Sequence, residues 1–284
     1  MNRFLASELE ESTPEQCLFQ VVPAPFEATV SYGGGTVHGP AAILEASDQL
    51  EVWDGLSDAS VLGIHTHPAV DCTGDAETVL DRIEAAVASA AEHGIPVMLG
   101  GEHTVTLGAL RALHKKHGNF GIVQFDAHAD LRDTYEGSPF SHACVMHRAL
   151  DLGLPVFGIG VRALCKDEVA LRKDRNLSYL DARDLAMNGM PENLLPADFP
   201  ETIYVTFDVD GLDPSVISAT GTPVPGGVLW WQAIKLLEKA IAGRTVIGMD
   251  VVELAPKEGD HASDFAAAQL TYAMMGIVQR LSNS

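Results

Sequence analysis

The 284-residue sequence predicts an α/β protein in which helices cover a parallel sheet. Three observations predict it. Short apolar runs rich in β-branched residues recur along the chain, and stretches with apolar residues at three- and four-residue steps separate several of them. The apolar content of 46% supplies material for a large core. No Pro/Gly/Ser-rich linker, composition shift or internal repeat divides the chain, so residues 1–284 read as one domain.

The first strands are expected at residues 18–22 and 61–64. Between them, the glycines of YGGGTVHG do not fit a dinucleotide fingerprint: Gly33, Gly35 and Gly39 are spaced wrongly and no strand leads directly into them. That stretch reads as a rim loop. From Asp75 to His93, Val79, Ile83, Ala86, Val87 and Ala90 share one helical face, and Gly94 followed by Pro96 ends the helix. A strand at 96–99 and a helix over 104–117 follow, then strands at 121–125 and 155–159. Residues 183–201, rich in Pro, Asn and Asp, read as a surface excursion. A strand at 202–207, a helix over 230–241, a strand at 245–251 and a helix over 264–281 complete the chain.

Lys and Arg total 18 against 39 Asp and Glu, a net charge of −21 that would repel a phosphate backbone or an anionic lipid surface. Nucleic acid and membrane partners are not expected; metal ions or a small cation suit the balance. The opening MNRFLASELEESTPEQ is acidic where an export signal would be basic and then apolar, and no run approaches the roughly 18 apolar residues that span a bilayer. Cys17, Cys72, Cys144 and Cys165 form no Cys-x-x-Cys pair and read as reduced thiols of a cytoplasmic protein.

Four of the expected strands end in residues suited to chemistry: PVMLGGEH, GIVQFDAHAD, TIYVTFDVDGLDP and VIGMDVVE. Ligands of an open parallel sheet bind beyond the carboxyl ends of its strands, so these ends would meet in one crevice. They bring together His103, Asp126, His128, Asp130, Asp208, Asp210 and Glu253. Asp126, His128 and Asp130 alternate with alanines, and alternate side chains of an extended segment point the same way. Asp208 and Asp210 repeat the spacing. An isolated Asp-x-Asp at a strand end is usually a turn or a cap, but four carboxylates in one crevice repel one another unless cations neutralise them. Two divalent ions among four aspartates and two histidines favour Mn²⁺ over Mg²⁺ or a structural Zn²⁺, with Co²⁺ and Ni²⁺ as alternatives.

His142 lies 12 residues past Asp130, on a loop leading into a helix, near enough to return to the crevice and move protons near neutral pH. His147 reads as structural. His65 and His67 alternate in IHTHP and could form a ligand pair, yet Pro68 follows directly and no carboxylate joins them before Asp71. Glu253 ends a buried strand, where a carboxylate can accept a planar guanidinium through two hydrogen bonds.

The motifs GGEHTVTLG, FDAHADLRDTYEGSPFSHA, TFDVDGLDPSVISATGTPVPGG and DVVELAP resemble the ureohydrolases, the arginase and agmatinase family. The resemblance starts near PFEATVSYGGGTVHGPAAI and covers nearly the whole chain; DLRDTYEGSPFSHA is agmatinase-like. It implies a three-layer αβα fold with a mainly parallel eight-stranded sheet and two Mn²⁺ per subunit. His103, Asp126, Asp130 and Asp208 would hold one ion, and Asp126, His128, Asp208 and Asp210 the other, so that Asp126 and Asp208 bridge. The implied reaction is hydrolysis of agmatine to putrescine and urea by a metal-bridging hydroxide, with His142 as proton shuttle, Asp130 orienting the nucleophile and Glu253 beside the guanidinium. A homotrimer or homohexamer is implied.

Guanidinobutyrate, aminopropylagmatine and arginine are alternative substrates. The first would need a basic residue at the pocket mouth, with Arg132 and Arg162 as candidates, and aminopropylagmatine a longer acidic channel. SVISATG departs from the family pattern at the rim, and LAPKEGDHASD departs from the agmatinase ending and bears on the far end of the pocket. An inactive family member with an assembly role, and a deacetylase on the related fold, are the readings from other classes.

Overall fold

The computed structural model describes residues 2–283. Its centre is one eight-stranded sheet. The strands are β1 (Phe19–Ala24), β2 (Ile64–Thr66), β3 (Ile95–Gly100), β4 (Gly121–Phe125), β5 (Val156–Ile159), β6 (Tyr179–Leu180), β7 (Thr202–Asp208) and β8 (Thr245–Val252). Their order is β2-β1-β3-β8-β7-β4-β5-β6, and every pairing among the described residues is parallel. The helices are α1 (Gly39–Ser47), α2 (Ala76–Ala91), α3 (Val105–His117), α4 (Val145–Asp151), α5 (Lys166–Asp174), α6 (Ala182–Asn188), α7 (Trp230–Ile241) and α8 (His261–Leu281).

Successive strand residues enter opposite layers, as a pleat requires. Ile203, Val205 and Phe207 pack with Leu237 of α7 and Met274 of α8, whereas Tyr204 packs with Leu80 of α2 and Leu113 of α3. Burial on both faces explains why the strands read as continuous apolar runs rather than alternating ones. Phe125 and Phe207 of neighbouring β4 and β7 stack with ring centroids 4.7 Å apart, which fixes those strands side by side just before their functional ends.

The expected three-layer α/β fold is present, and its sheet is wholly parallel rather than mainly so. Three local expectations differ. The strand expected at 61–64 is displaced: Ala59–Leu62 form a 3-10 turn, and pairing begins at Ile64. Gly63 causes the break, with a positive φ of 77° and a position where a Cβ would lie 2.7 Å from the Gln16 carbonyl oxygen. The stretch 183–201 holds most of α6, and Leu185, Leu194 and Leu195 are buried in the core, so it is only partly a surface excursion. β6, α1 and α5 are further elements, while α4 is the helix expected after the His142 loop; β6 has two residues at the sheet edge, too short for a periodic pattern.

Candidate metal centre and substrate pocket

β3, β8, β7 and β4 are consecutive neighbours in the middle of the sheet, and they are the four strands that end in the chemistry-bearing motifs. Their carboxyl ends therefore open into one crevice. Two glycines permit the close approach. A Cβ on Gly101 would lie 2.0 Å from the Phe26 carbonyl oxygen, and one on Gly211 would lie 2.8 Å from the Asp126 amide nitrogen. Asp130 and Glu253 have φ of 53° and 65°, a left-handed conformation uncommon outside glycine. Asp130 is held there because its carbonyl accepts the Met146 and His147 amides at 3.0 and 3.2 Å. Glu253 is held because its own amide donates to the Gly101 carbonyl at 2.8 Å. Strained backbone of this kind collects at functional sites, where surrounding structure enforces it.

The crevice gathers all seven residues expected there. His103 Nδ1 lies 2.9 Å from Asp130 Oδ2, 3.2 Å from Asp126 Oδ2 and 3.7 Å from Asp208 Oδ2. His128 Nδ1 lies 3.1 Å from Asp210 Oδ2 and 3.5 Å from Asp126 Oδ1. Among the described residues, two groups have ligand atoms mutually within 4.8 Å: His103, Asp126 and Asp208, and Asp126, His128 and Asp210. Asp126 belongs to both. Asp208 belongs to the first, and Asp130 stands beside His103 outside both.

This donor set fits cations. The Thr206 hydroxyl donates to Asp250 Oδ1 at 2.6 Å, so its oxygen accepts the Nε2 proton of His103 at 2.8 Å. The other ring nitrogen, Nδ1, is buried without a hydrogen bond of its own and faces the carboxylates as a lone pair. Burial, then the neighbouring aspartates, pushes Asp208 well above the usual carboxyl range, and burial does the same to Glu253. Burial and the charge of Asp126 raise Asp130 to about 7. Burial opposes the charged form of His128, yet Asp126 and Asp210 raise its pKa to about 11. For Asp126 burial again opposes ionisation, but the two histidines outweigh it and hold the carboxyl below its ordinary range. Five carboxyl groups against two imidazoles leave an excess of negative charge that divalent ions would balance.

A cavity of about 350 Å³ leads into the crevice, lined by Ser31, Asp130, Arg132, Tyr135, His142 and Glu168 among others. At its inner end, Glu253, His142 and Thr222 stand beside His128, Asp208 and Asp210. His142 begins the 3-10 turn His142–Cys144 ahead of α4, as the sequence suggested. Its Nδ1 lies 3.1 Å from Thr29 Oγ1 and its Nε2 lies 3.0 Å from Ser31 Oγ. Burial lowers its pKa, while the Glu102 charge works the other way. Glu253 Oε1 accepts the His103 amide at 2.6 Å, which couples the two strand ends.

The other histidines stand apart. His65 Nδ1 lies 2.7 Å from the Ser12 carbonyl, His67 Nε2 lies 2.8 Å from Gln20 Oε1, and neither belongs to a ligand group. His147 Nδ1 meets the Leu131 carbonyl at 2.9 Å, consistent with a structural role. Arg162 is not a pocket-mouth cation, because its guanidinium is spent on the carbonyls of Gly160, Asp210, Leu212 and Val224. Arg132 does line the cavity, over the Tyr135 ring at 5.1 Å. The rim loop is real: Tyr32 is exposed while Ser31 and Gly33 border the inner cavity. Sequence reasoning assigned no role to Thr29, Ser31, Glu102, Tyr135 or Thr222. The available signals were a glutamate directly before a ligand histidine and two hydroxyls two residues apart in a loop.

A wholly parallel αβα sheet with a crevice of shared carboxylates and imidazoles at its central strand ends defines a metal-dependent hydrolase. The Arginase family model matches residues 18–276, and the chain belongs to that family. It is an amidinohydrolase, a ureohydrolase acting on guanidino compounds. The match sets aside the deacetylase alternative. The chain is 40% identical to the N(1)-aminopropylagmatine ureohydrolase of Synechocystis sp. over 96% of this chain and 93% of that one. It is 32% identical to the agmatinase of Bacillus subtilis, covering 97% and 96%. The crystal structure of agmatine ureohydrolase of Thermoplasma volcanium superposes with a TM-score of 0.85 at 30% identity, covering 99% of this chain and 96% of that one. No helix among the described residues is long and apolar enough to cross a membrane.

Proposed function

We propose that this chain, acting as one catalytic unit, hydrolyses the guanidino group of an agmatine moiety to urea and an amine, using two Mn²⁺. The observation that carries the reading is the sharing of Asp126 between two ligand groups at the inner end of a cavity that Glu253 and His142 border. In this reading His103, Asp126, Asp130 and Asp208 would hold one ion and Asp126, His128, Asp208 and Asp210 the other. When bound, the ions would supply Lewis-acid polarisation and a lowered pKa for water, which a resonance-stabilised guanidinium requires of its nucleophile. Glu253 would orient the guanidinium and favour its positive charge. Asp130 would accept a hydrogen bond from the attacking water. His142 Nε2 would deliver the proton that the leaving amine nitrogen needs for the tetrahedral adduct to collapse.

Free agmatine, yielding putrescine, and its N1-aminopropyl derivative are the two substrates in view. The aminopropyl compound is the better supported, because relatives at 40% and 36% identity carry that name. Guanidinobutyrate would have to draw Arg132 from the Tyr135 ring. Urea release from a panel of guanidino compounds with added Mn²⁺, repeated after chelation, tests the reading. Turnover of neither agmatine nor aminopropylagmatine would overturn it. Light scattering in solution tests the homotrimeric or homohexameric assembly, and fractionation its cytoplasmic location.

A further inference from the structure

Glu102 is fully buried, yet it is neither among the residues assigned to the ions nor at the cavity. Its Oε2 accepts the Ala28 and Thr29 amides, both at 2.6 Å. Its Oε1 accepts the Thr29 hydroxyl at 2.8 Å and the Thr104 hydroxyl at 2.6 Å. The single hydroxyl proton of Thr29 is thus committed to Glu102. What remains on Thr29 Oγ1 is acceptor capacity, and His142 occupies it: the His142 amide donates to it at 3.1 Å and ring Nδ1 stands 3.1 Å away. Without a proton on Nδ1, two lone pairs would face each other across that contact. Ser141 Oγ is the other neighbour of Nδ1, at a longer 3.3 Å.

We propose that Glu102, Thr29 and His142 form a carboxylate–hydroxyl–imidazole relay that keeps the His142 proton on Nδ1 and its basic lone pair on Nε2, where the Ser31 hydroxyl at 3.0 Å would turn from its longer 3.3 Å contact with Tyr135 to donate to it at the cavity wall. Glu102 and Thr29 are positioning residues, because neither touches the reacting atoms. The inference rests on His142 as the proton-transfer group of the proposed reaction. Protons balance throughout. Nε2 takes one proton, the imidazolium keeps its Nδ1 proton on Thr29 and its charge faces Glu102, and Nε2 then gives that one proton to the leaving amine. A buried carboxylate that fixes a tautomer through a shared hydrogen bond is the arrangement general acid–base histidines rely on.

Three substitutions test the relay. Glu102→Gln would place an amide N–H₂ against Thr29 Oγ1, turn the hydroxyl proton toward His142 Nδ1 and move the ring proton to Nε2. Thr29→Val removes the hydroxyl at nearly constant volume, and Thr29→Ser restores it. The first readout is the ring ¹⁵N spectrum of the metal-free full chain, with His142 signals identified by their loss in His142→Gln. The wild type and Thr29→Ser are expected to show protonated Nδ1 and unprotonated Nε2, and Glu102→Gln the reverse. The second readout is urea release with Mn²⁺: Thr29→Val is expected to lose about 10- to 100-fold in kcat with KM within about threefold, and Thr29→Ser to recover most of it. Should Glu102→Gln fail to fold, the Thr29 pair decides alone. An unchanged nitrogen pattern in Thr29→Val overturns the relay, even if kcat falls. If His142→Gln keeps wild-type kcat, the proton role of His142 fails; if it is inactive while Thr29→Val is unimpaired, the relay alone fails.

Discussion

Two places in this fold carry ligand-type side chains at alternate positions by a parallel strand: His65 and His67 at β2, and Asp126, His128 and Asp130 beyond β4. Their local spacing is alike and their outcomes are opposite. β2 is an edge strand, and its two rings meet a carbonyl, an amide oxygen and each other, with centroids 4.8 Å apart. β4 lies in the middle, next to β7 and two places from β8, so its end meets Asp208, Asp210 and Glu253 from other strands. The difference teaches that an alternating motif becomes a metal-type site through what the neighbouring strand ends deliver.

The sharpest way to break this comparison is to remove the shared carboxylate. Asp126→Asn is expected to cut urea release by more than about 10³-fold, whereas His65→Asn leaves kcat within about twofold. Equal losses in a urea assay would abolish the distinction between the two places. Metal removal comes next. Binding to the folded chain at a thousandfold excess over Kd stabilises it by about 4 kcal/mol, so chelation should lower the wild-type melting temperature by several degrees. The same treatment should shift Asp126→Asn by less than half as much, as calorimetry would record. Glu253→Gln ranks third, with a loss of about 10- to 100-fold in kcat/KM, the weight of a charged hydrogen bond. Its expected signature is a large kinetic change with little change in melting temperature.

The smallest effect belongs to the edge pair. Burial, then the charges of His65 and His93, lowers the His67 pKa from 6.5 to about 4. A depressed histidine pKa means that the folded state binds the proton less tightly than the unfolded chain. The contribution of His67 is therefore complete above pH 6.5 and is lost as pH falls toward 4. Denaturant midpoints measured across that window should decline less steeply in His67→Gln than in the wild type. An identical decline would mean that the edge histidine titrates as if unfolded.

Much of the site was legible because its donors sit in short motifs at strand ends. His103, Asp126, His128, Asp130, Asp208, Asp210 and Glu253 all reach the crevice, since a buried parallel strand announces itself by its apolar run and its carboxyl end follows directly. His142 was legible from its distance to Asp130. Thr29 and Glu102 carried no comparable signal: a threonine in a glycine-rich loop and a glutamate before a histidine acquire meaning only when the loop after β1 folds against the β3 turn. Gly63 shows the same limit in the fold itself. Its apolar neighbours suggested a strand, but the contact with Gln16 and Cys17 that forces the turn is not local in pattern.

The order of residues along the chain determined which segments are strands and helices, because their periodicities are local, and it determined which oxygen and nitrogen donors each strand end would present. Tertiary structure alone decided that β8 and β7, the last strands made, insert between β3 and β4. Strand order follows from how helical crossovers pack against the two faces of the sheet, a property of the whole core. That insertion set four distant carboxyl ends side by side, and so turned scattered acids into one crevice.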